Sequence, residues 1–539
     1  MIQTPLTTNT SDTRLDSAEA ELCSKSFWSL WHWWLPPALL ALALVLYFVD
    51  PFIGDWDGMD YTMLSLAGYP SSMALGRNLF IFGNHTLFVI ARSLFALSPE
   101  NAYLLFKYAV VAQVPFAVVA VWLLAKQLSQ SVHTATIASF LVACSPVFVL
   151  YGGQVMTDVP SVLLLGVALL IHLRGITTKN VWLIIAGAML LGLGVNLRET
   201  VGLYLPWLLL GPFVCGWKLG KREVGYVAAS LVVFALCAFG WFAYWFITDS
   251  YYRHIWFGWR ESMRQESARH PVTIANLRPF VMYFFISAPL VFVSLPVAPV
   301  REWRLHRLSP LLFLWLTGLF ANLLLFFNYS TTVNWRYFLT GLPALVPLGA
   351  HSLLHLVRRY TGTTRRAFVS CIVAIVTLAV IFGIYVRPIS YEFVQRRAMS
   401  KQYKQRLEGI PPDAVMISGS QTIAVTYWAA IGMGRWKTIG TGGGWPGDQL
   451  VPVINNYLTE GRRVFLDSDP RWWLPCGWQR DEIPKIVELE KQFNFHRVTD
   501  AIYELRPLED SSATDKPNLK RLLPENRPED TKKCPTGRT

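Results

Sequence analysis

Residues 79–97 read LFIFGNHTLFVIARSLFAL, and whether this stretch crosses a membrane decides how the rest of the chain is threaded. Its length would suffice for a span, which takes about 17 to 25 apolar residues. Asn84, His85 and Arg92 interrupt it, however, so it reads as an amphipathic helix lying along the outer interface. Left out of the count, it lets clustered Lys and Arg fall on alternate connections, as the positive-inside rule requires. Counted as a span, it inverts every later loop and puts the Arg clusters outside.

The composition demands such a threading: of 539 residues 53% are hydrophobic and only 15% charged, which excludes an ordinary soluble enzyme. The apolar residues come in runs of roughly 16 to 25 up to about Val386, which gives a polytopic α-helical membrane protein of about eleven transmembrane helices. With a cytoplasmic N-terminal segment (1–33), the spans cover about 34–50, 102–125, 132–150, 160–173, 181–196, 200–217, 223–246, 278–297, 309–327, 337–356 and 367–386. KLGKRE (218–223), REWRLHR (301–307) and RRYTGTTRR (358–366) are then cytoplasmic. The opposite connections hold GDWDGMDY (54–61), YGGQVMTDVP (151–160), NLRET (196–200), the long 248–271 loop and NYSTTVNWRY (328–337).

After the transmembrane domain (34–386), charged residues return to globular frequency. Residues 387–508 alternate β-rich runs (AVMISG, RRVFLDS, AIYELR) with helical stretches near 448–460 and 481–493, and read as a small extramembrane α/β domain on the outer side. Residues 509–539 lack apolar periodicity and read as a disordered tail. Asp and Glu in the N-terminal stretch and the lack of a small-residue cleavage site argue against a cleaved signal peptide. The seven cysteines show no CxxC pairing or zinc spacing. The net charge of +13 is spread over loop flanks and the tail rather than along a basic helix, which points to membrane topology and not to nucleic acid. GTGGGWPGD (440–448) lacks the Lys-Ser/Thr ending of a phosphate loop and reads as an ordinary loop.

The outer loops carry the candidate chemistry. A carboxylate near a low-dielectric boundary, paired with a cation, can stay ionised and accept a proton from a hydroxyl, and Asp57 is the first such candidate, with Asp55 two residues before it. Asp57 four residues before Tyr61, in a first outer loop leading into amphipathic helices, resembles the GT-C superfamily of polytopic glycosyltransferases. The resemblance is to the branch of protein O-mannosyltransferases and lipid A aminoarabinose transferases. SPVFVLYGGQVMTDVPSVLLLGVAL (145–169), with Asp158 in the acidic position, NWRYFLTGLPALVPLGA (334–350) and the Arg-bearing NLRET extend it over residues 30 to 350. One departure is Gly58, which follows Asp57 where many members carry a second acid.

The resemblance implies a GT-C type fold and a sugar donor linked to polyprenyl or dolichyl phosphate. It also implies an inverting displacement onto a hydroxyl acceptor, a catalytic aspartate at Asp57, and a place in a bacterial inner or plasma membrane. Cations must meet the phosphate leaving group, and Arg198, Arg260 and Arg336 lie in the outer loops to do so, with His254 and Tyr61 as further substrate contacts. No nucleotide is needed and no metal ligand set is legible; a divalent metal ion stays open as cofactor. The alternative is a transporter or flippase of lipid-linked sugars. Transporters tend to carry ionisable residues at the midplane and to repeat interrupted helices, whereas these carboxylates cluster in loops and no repeat is seen.

Overall fold

The computed structural model describes residues 26–49, 56–73, 75–269, 273–274, 277–297, 308–328, 335–385, 398, 401–402, 404–418, 422–432, 434–440, 447–467, 488–499 and 501–508. Helices occupy every expected span. They run α1 (Trp31–Phe48), α2 (Trp56–Ala67), α3 (Asn78–Phe95), α4 (Ala102–Ser129), α5 (Val132–Ala143), α6 (Pro146–Gly152), α7 (Asp158–Thr178) and α8 (Val181–Val195). Then follow α9 (Leu205–Val214), α10 (Lys221–Thr248), α11 (Ser250–Arg269), α12 (Leu277–Ser287), α13 (Pro289–Ser294), α14 (Pro310–Asn328), α15 (Leu342–Thr361) and α16 (Thr364–Tyr385). Among the described residues, six helices are long and apolar enough to cross a membrane, or seven if the bent pair of α5 and α6 is one span. About eleven spans were expected; α8, the stretch Glu199–Val214 and α14 are shorter apolar helices and are not among the six or seven. α3 forms one continuous helix and is not among the six.

Proline explains two of the interruptions. Pro146 and Pro289 each begin a helix, lack an N–H and disfavour helical backbone in the residue before them, so α5–α6 bends by 64° and α12–α13 breaks at Ala288. Ser145 Oγ, at the first break, donates a hydrogen bond of 2.8 Å to the carbonyl of Ser287, at the second. A carbonyl released from a helix in an apolar surrounding needs such a partner.

The chain divides into two compact units, residues 1–50, 70–83 and 107–390 in one, and residues 51–69, 84–106 and 391–539 in the other. The first is a helical core of Leu124, Leu165, Leu169, Leu191, Trp207, Phe234, Leu314 and their neighbours. Glycines let its helices touch: a Cβ on Gly187 would lie 2.6 Å from that of His172, one on Gly192 2.5 Å from the carbonyl of Phe234, and one on Gly318 2.7 Å from that of Ala344. Small residues at contacts are how helices pack where no hydrophobic gain separates lipid from protein. The hairpin of α7 and α8 turns at Lys179, which takes the left-handed conformation (φ 53°), and Asn180, whose side chain accepts from the N–H groups of Trp182 and Leu183.

The second unit holds a five-stranded sheet of β1 (Val415–Ser418), β2 (Lys437–Gly440), β3 (Val464–Asp467), β4 (Phe493–Arg497) and β5 (Ile502–Pro507) in the order β2-β1-β3-β5-β4. β1 runs parallel to β2 and β3, and β5 antiparallel to β3 and β4. Two further helices belong to it, α17 (Thr422–Ala430) between β1 and β2 and α18 (Gly447–Thr459) between β2 and β3. Every residue of β1 and β3 is buried, as in a sheet covered on both faces. β1, β3 and β5 fall in the three runs read as β-rich; β2 and β4 were not foreseen, and the helical stretch expected to reach Phe493 gives way to β4 there. The segments 51–69 and 84–106, expected within the transmembrane domain, belong to this unit, and α2 packs against α17. The N-terminal 25 residues and the tail 509–539 lie outside the described residues.

Overpacking a contact as close as Gly187–His172 costs typically about 1 to 3 kcal/mol. Gly187→Leu should therefore lower the unfolding temperature of the purified protein clearly, while Gly225→Ala on α10, where nothing lies within 4 Å, should leave it unchanged or slightly raised.

Candidate active site

In the first unit, buried cations and carboxylates converge at the ends of helices. Asp158 is the first residue of α7, where the helix dipole favours a negative charge, and it is buried against Arg198, which follows α8. Arg198 Nη1 and Asp158 Oδ1 form a close ion pair, which leaves Asp158 Oδ2 and Arg198 Nε without a hydrogen-bond partner among the described residues. Beside Arg198, Glu199 opens a short 3-10 turn (Glu199–Tyr204).

Arg77 reaches this turn from the chain before α3. It sits in left-handed backbone (φ 51°), unusual for a residue with a side chain. Its guanidinium donates to Thr157 Oγ1 at 3.2 Å, to the carbonyl of Leu197 at 3.3 Å and to Glu199 Oε1 at 3.2 Å. Burial works to raise the Glu199 carboxyl, but the charges of Arg77, Arg198 and Arg336 outweigh it, so Glu199 titrates below the ordinary carboxylate value.

Arg336 lies in a second 3-10 turn, Trp335–Gly341, and is buried. Tyr204 Oη donates to the carbonyl of Thr340 at 2.9 Å and Thr200 Oγ1 contacts Thr340 Oγ1 at 3.3 Å, so the two turns are fastened together. The Arg336 guanidinium packs 5.7 Å from the Tyr337 ring and 5.8 Å from the Tyr151 ring, and that of Arg198 5.2 Å from Tyr337. One Arg336 donor is turned to Met156 Sδ at 3.3 Å, and sulfur is a weak acceptor. The guanidiniums of Arg77, Arg198 and Arg336 thus gather around the carboxylates of Asp158 and Glu199.

The second unit carries the other carboxylates. α2 begins with Trp56 and Asp57, so Asp57 lies in the first turn, where the dipole again favours negative charge, with Asp60 three residues on and Tyr61 buried. Burial, and then the neighbouring Asp57, push the Asp60 carboxyl up to about 7. The end of α2 is tied down where a His85 ring nitrogen lies 2.8 Å from the carbonyl of Ser65, and the chain turns at Gly68 (φ 64°), where a Cβ would strike the His85 ring at 2.9 Å.

Of the residues singled out from sequence, Asp158, Arg198 and Arg336 are brought together, and Asp57 and Tyr61 share α2. Asp55 lies outside the described residues. His254 and Arg260 are exposed on α11 and, among the described residues, join the cluster through no hydrogen bond or ion pair; the Arg260 guanidinium packs 5.7 Å from the Trp256 ring instead. Among the described residues no group of three or more His, Cys, Asp or Glu could hold a metal ion. Arg77, Glu199 and Asp60 were not foreseen. NLRET contains Glu199, and GDWDGMDY contains Asp60, but nothing around Arg77 in the sequence marks it.

Residues 87–243 match the family model of dolichyl-phosphate-mannose-protein mannosyltransferases, a stretch that includes Asp158, Arg198 and Glu199. Among solved structures the chain is similar to ArnT from Cupriavidus metallidurans bound to undecaprenyl phosphate, with a TM-score of 0.56 at 14% identity over 89% of this chain and 98% of that one. It is also similar to the Archaeoglobus fulgidus oligosaccharyltransferase in complex with zinc and sulfate, with a TM-score of 0.50 at 12% identity over 88% of this chain and 73% of that one. No curated protein matches the chain. The resemblance to polytopic GT-C glycosyltransferases therefore holds in a stretch of the sequence and in the fold.

The Asp60 carboxyl gives a pH signature. Its folded-state affinity for a proton lies above the unfolded value of 3.8, so the stability it contributes is complete below that value and is lost as pH rises toward about 7. Thermal unfolding of Asp60→Asn and of the unaltered protein between pH 4 and 8 should show the variant gaining relative stability up to about pH 7 and no further. A constant difference across that range would mean that Asp60 is not held protonated.

Proposed function

We propose that the protein is a multi-pass membrane glycosyltransferase that moves a sugar from a polyprenyl- or dolichyl-phosphate donor to a hydroxyl acceptor on the outer face of the membrane. The observation that carries this reading is the convergence of the buried Arg198 and Arg336 with Arg77 on Asp158 and Glu199. Arg presents planar donor forks that match phosphate oxygens. Arg336, buried between the Tyr151 and Tyr337 rings, is the member assigned to the donor phosphate. The undecaprenyl phosphate bound to a structure of the same fold supports a polyprenyl carrier.

In the proposed reaction the acceptor hydroxyl attacks the anomeric carbon while Asp57 takes its proton. The bond from that carbon to the phosphate oxygen breaks, and the phosphate leaves with the electron pair. Inversion follows from the single displacement. Arg336 and Arg198 accept the charge that develops on the leaving oxygens, and Asp158 fixes the orientation of Arg198. Asp60, its carboxyl pushed up to about 7, would place less negative charge beside Asp57 near neutral pH than an ordinary carboxylate, and Asp55 takes a lesser part. His254 and Arg260, exposed on α11, are assigned to the lipid interface rather than to the donor phosphate. The eleven helical positions and the outer placement of residues 387–508 belong to the same reading, which the positive-inside pattern supports.

The test is incubation of the purified protein in lipid with a panel of polyprenyl-phosphate sugars, following release of polyprenyl phosphate. Failure to release it from any donor would sink the reading. With an active donor, Arg336→Ala should weaken donor affinity at least about tenfold with the fold intact, from a charge-assisted contact of about 1.5 to 3 kcal/mol, and Arg336→Lys should restore it only in part. Unchanged affinity would leave Arg336 a structural residue.

Asp57→Asn keeps the shape of the side chain but cannot accept the proton, so turnover should fall by a factor on the order of 10² to 10⁴ with little change in KM. Wild-type turnover in this variant would remove Asp57 from the base role.

A further inference from the structure

A cavity of about 440 Å³ opens between the far ends of α4 and α7, lined by Phe27, Leu123, Lys126, Gln127, Gln130 and, on α7, Leu170, Ile171, Arg174, Thr177 and Thr178. α7 has 21 residues, so at about 1.5 Å per residue its ends lie about 30 Å apart, the thickness of a bilayer's hydrocarbon core. Asp158 stands at one end and this cavity at the other. It is a different place from the candidate active site.

The lining is graded along the helices. Leu123, Leu170 and Ile171 form its deeper, apolar part, Lys126 and Arg174 follow within about a turn, and Gln127, Gln130, Thr177 and Thr178 lie outermost. The lining holds two cations and no carboxylate, and neither Lys126 nor Arg174 forms an ion pair among the described residues. Below the cavity the helices are in contact: Gly166 would put a Cβ 3.3 Å from that of Ala120, and Leu124, Leu165, Leu169 and Leu173 share one core. Phe27 closes one side, stacked on Trp34 at 4.7 Å.

A cation in the last turn of a helix offsets its dipole, and that alone would account for Lys126 on α4 but not for Arg174, which lies before the last turn of α7. It would not account for a cavity between them or for the apolar floor beneath. A soluble phosphate has no use for that floor, whereas a lipid presents acyl chain, then phosphate, then polar headgroup in the same order as the lining. We propose that this cavity binds the headgroup of an anionic phospholipid at the membrane face opposite the arginine cluster, with Lys126 and Arg174 on the phosphate, while Gln127 and the hydroxyl oxygens of Thr177 and Thr178, whose own protons go to the carbonyl of Arg174, accept from the headgroup hydroxyls. The assignment needs α4 and α7 to span the bilayer, and it stands apart from the transfer reaction.

Native mass spectrometry of the full-length protein, titrated from detergent with phosphatidylglycerol and separately with phosphatidylcholine, tests it. The tightest phosphatidylglycerol should bind at least about tenfold more strongly than phosphatidylcholine. The paired variant Lys126→Gln, Arg174→Gln should lose that first binding step by a similar factor, and Lys126→Arg, Arg174→Lys should keep it. Inorganic phosphate at millimolar concentration should not displace the lipid. Unfolding temperature monitors the fold, and the charge-preserving pair separates lost charge from lost structure. Equal binding of the two lipids, unaltered binding in the Gln pair, failure of the charge-preserving pair to retain the lipid while folded, or displacement by inorganic phosphate would each overturn the proposal.

Discussion

The ion pair of Asp158 and Arg198 closes a hairpin that is already closed at its other end. α7 and α8 turn at Lys179 and Asn180, touch along Gly175 and Gly187, and are joined again where Asp158 begins one helix and Arg198 follows the other. A helix pair fastened at both ends has little freedom to slide, so the residues that follow α8 take a fixed place. Glu199 then stands where Arg77 can reach it, and the turn from Glu199 to Tyr204 presents the hydroxyls that hold the turn bearing Arg336. Breaking the pair would leave a buried charge uncompensated, which costs far more than an exposed bridge contributes.

That arrangement is poorly satisfied by design of its residues. Asp158 Oδ2 and Arg198 Nε have no partner among the described residues, and Arg77 is held in a backbone conformation that few side chains accept. Structural ion pairs in a protein interior normally satisfy their lone pairs and protons, because each unmet group costs about 1 to 3 kcal/mol or more when charged.

Much of this was legible in the chain because membrane helices announce themselves by length and hydropathy. Polar residues between such helices have few places to go, so Asp158, Arg198 and Arg336 could be named from loops alone. Arg77 could not, since its role comes from a left-handed backbone position that brings it to residues about 120 positions later. Nor was Asp60 separable from its neighbours in GDWDGMDY, because its burial depends on packing rather than on spacing. The short strands β2 and β4 carry few residues each and sit beside turn-forming sequence, which dilutes the alternation that marked β1, β3 and β5. His254 and Arg260 were named because they lie in an outer loop, but loop membership does not fix which way a helix face points. α11 keeps them exposed.

The placement of Asp57 has a second dependence that no local pattern announces. Its helix, α2, belongs to the unit built on the sheet and packs against α17. α17 follows β1, the strand that pairs in parallel on both sides and is buried throughout. A carboxylate near the start of the chain is therefore positioned by a sheet assembled from residues after 414, through one helix-to-helix contact. Thr62 Oγ1 bonded to the carbonyl of Gly58, and His85 beside the carbonyl of Ser65, stiffen α2 along its length, so a shift of α17 would move Asp57 and Asp60 together as one rigid turn. On this geometry the helix that carries Asp57 is seated on the sheet-bearing unit, so the position of that carboxylate depends on residues far along the chain.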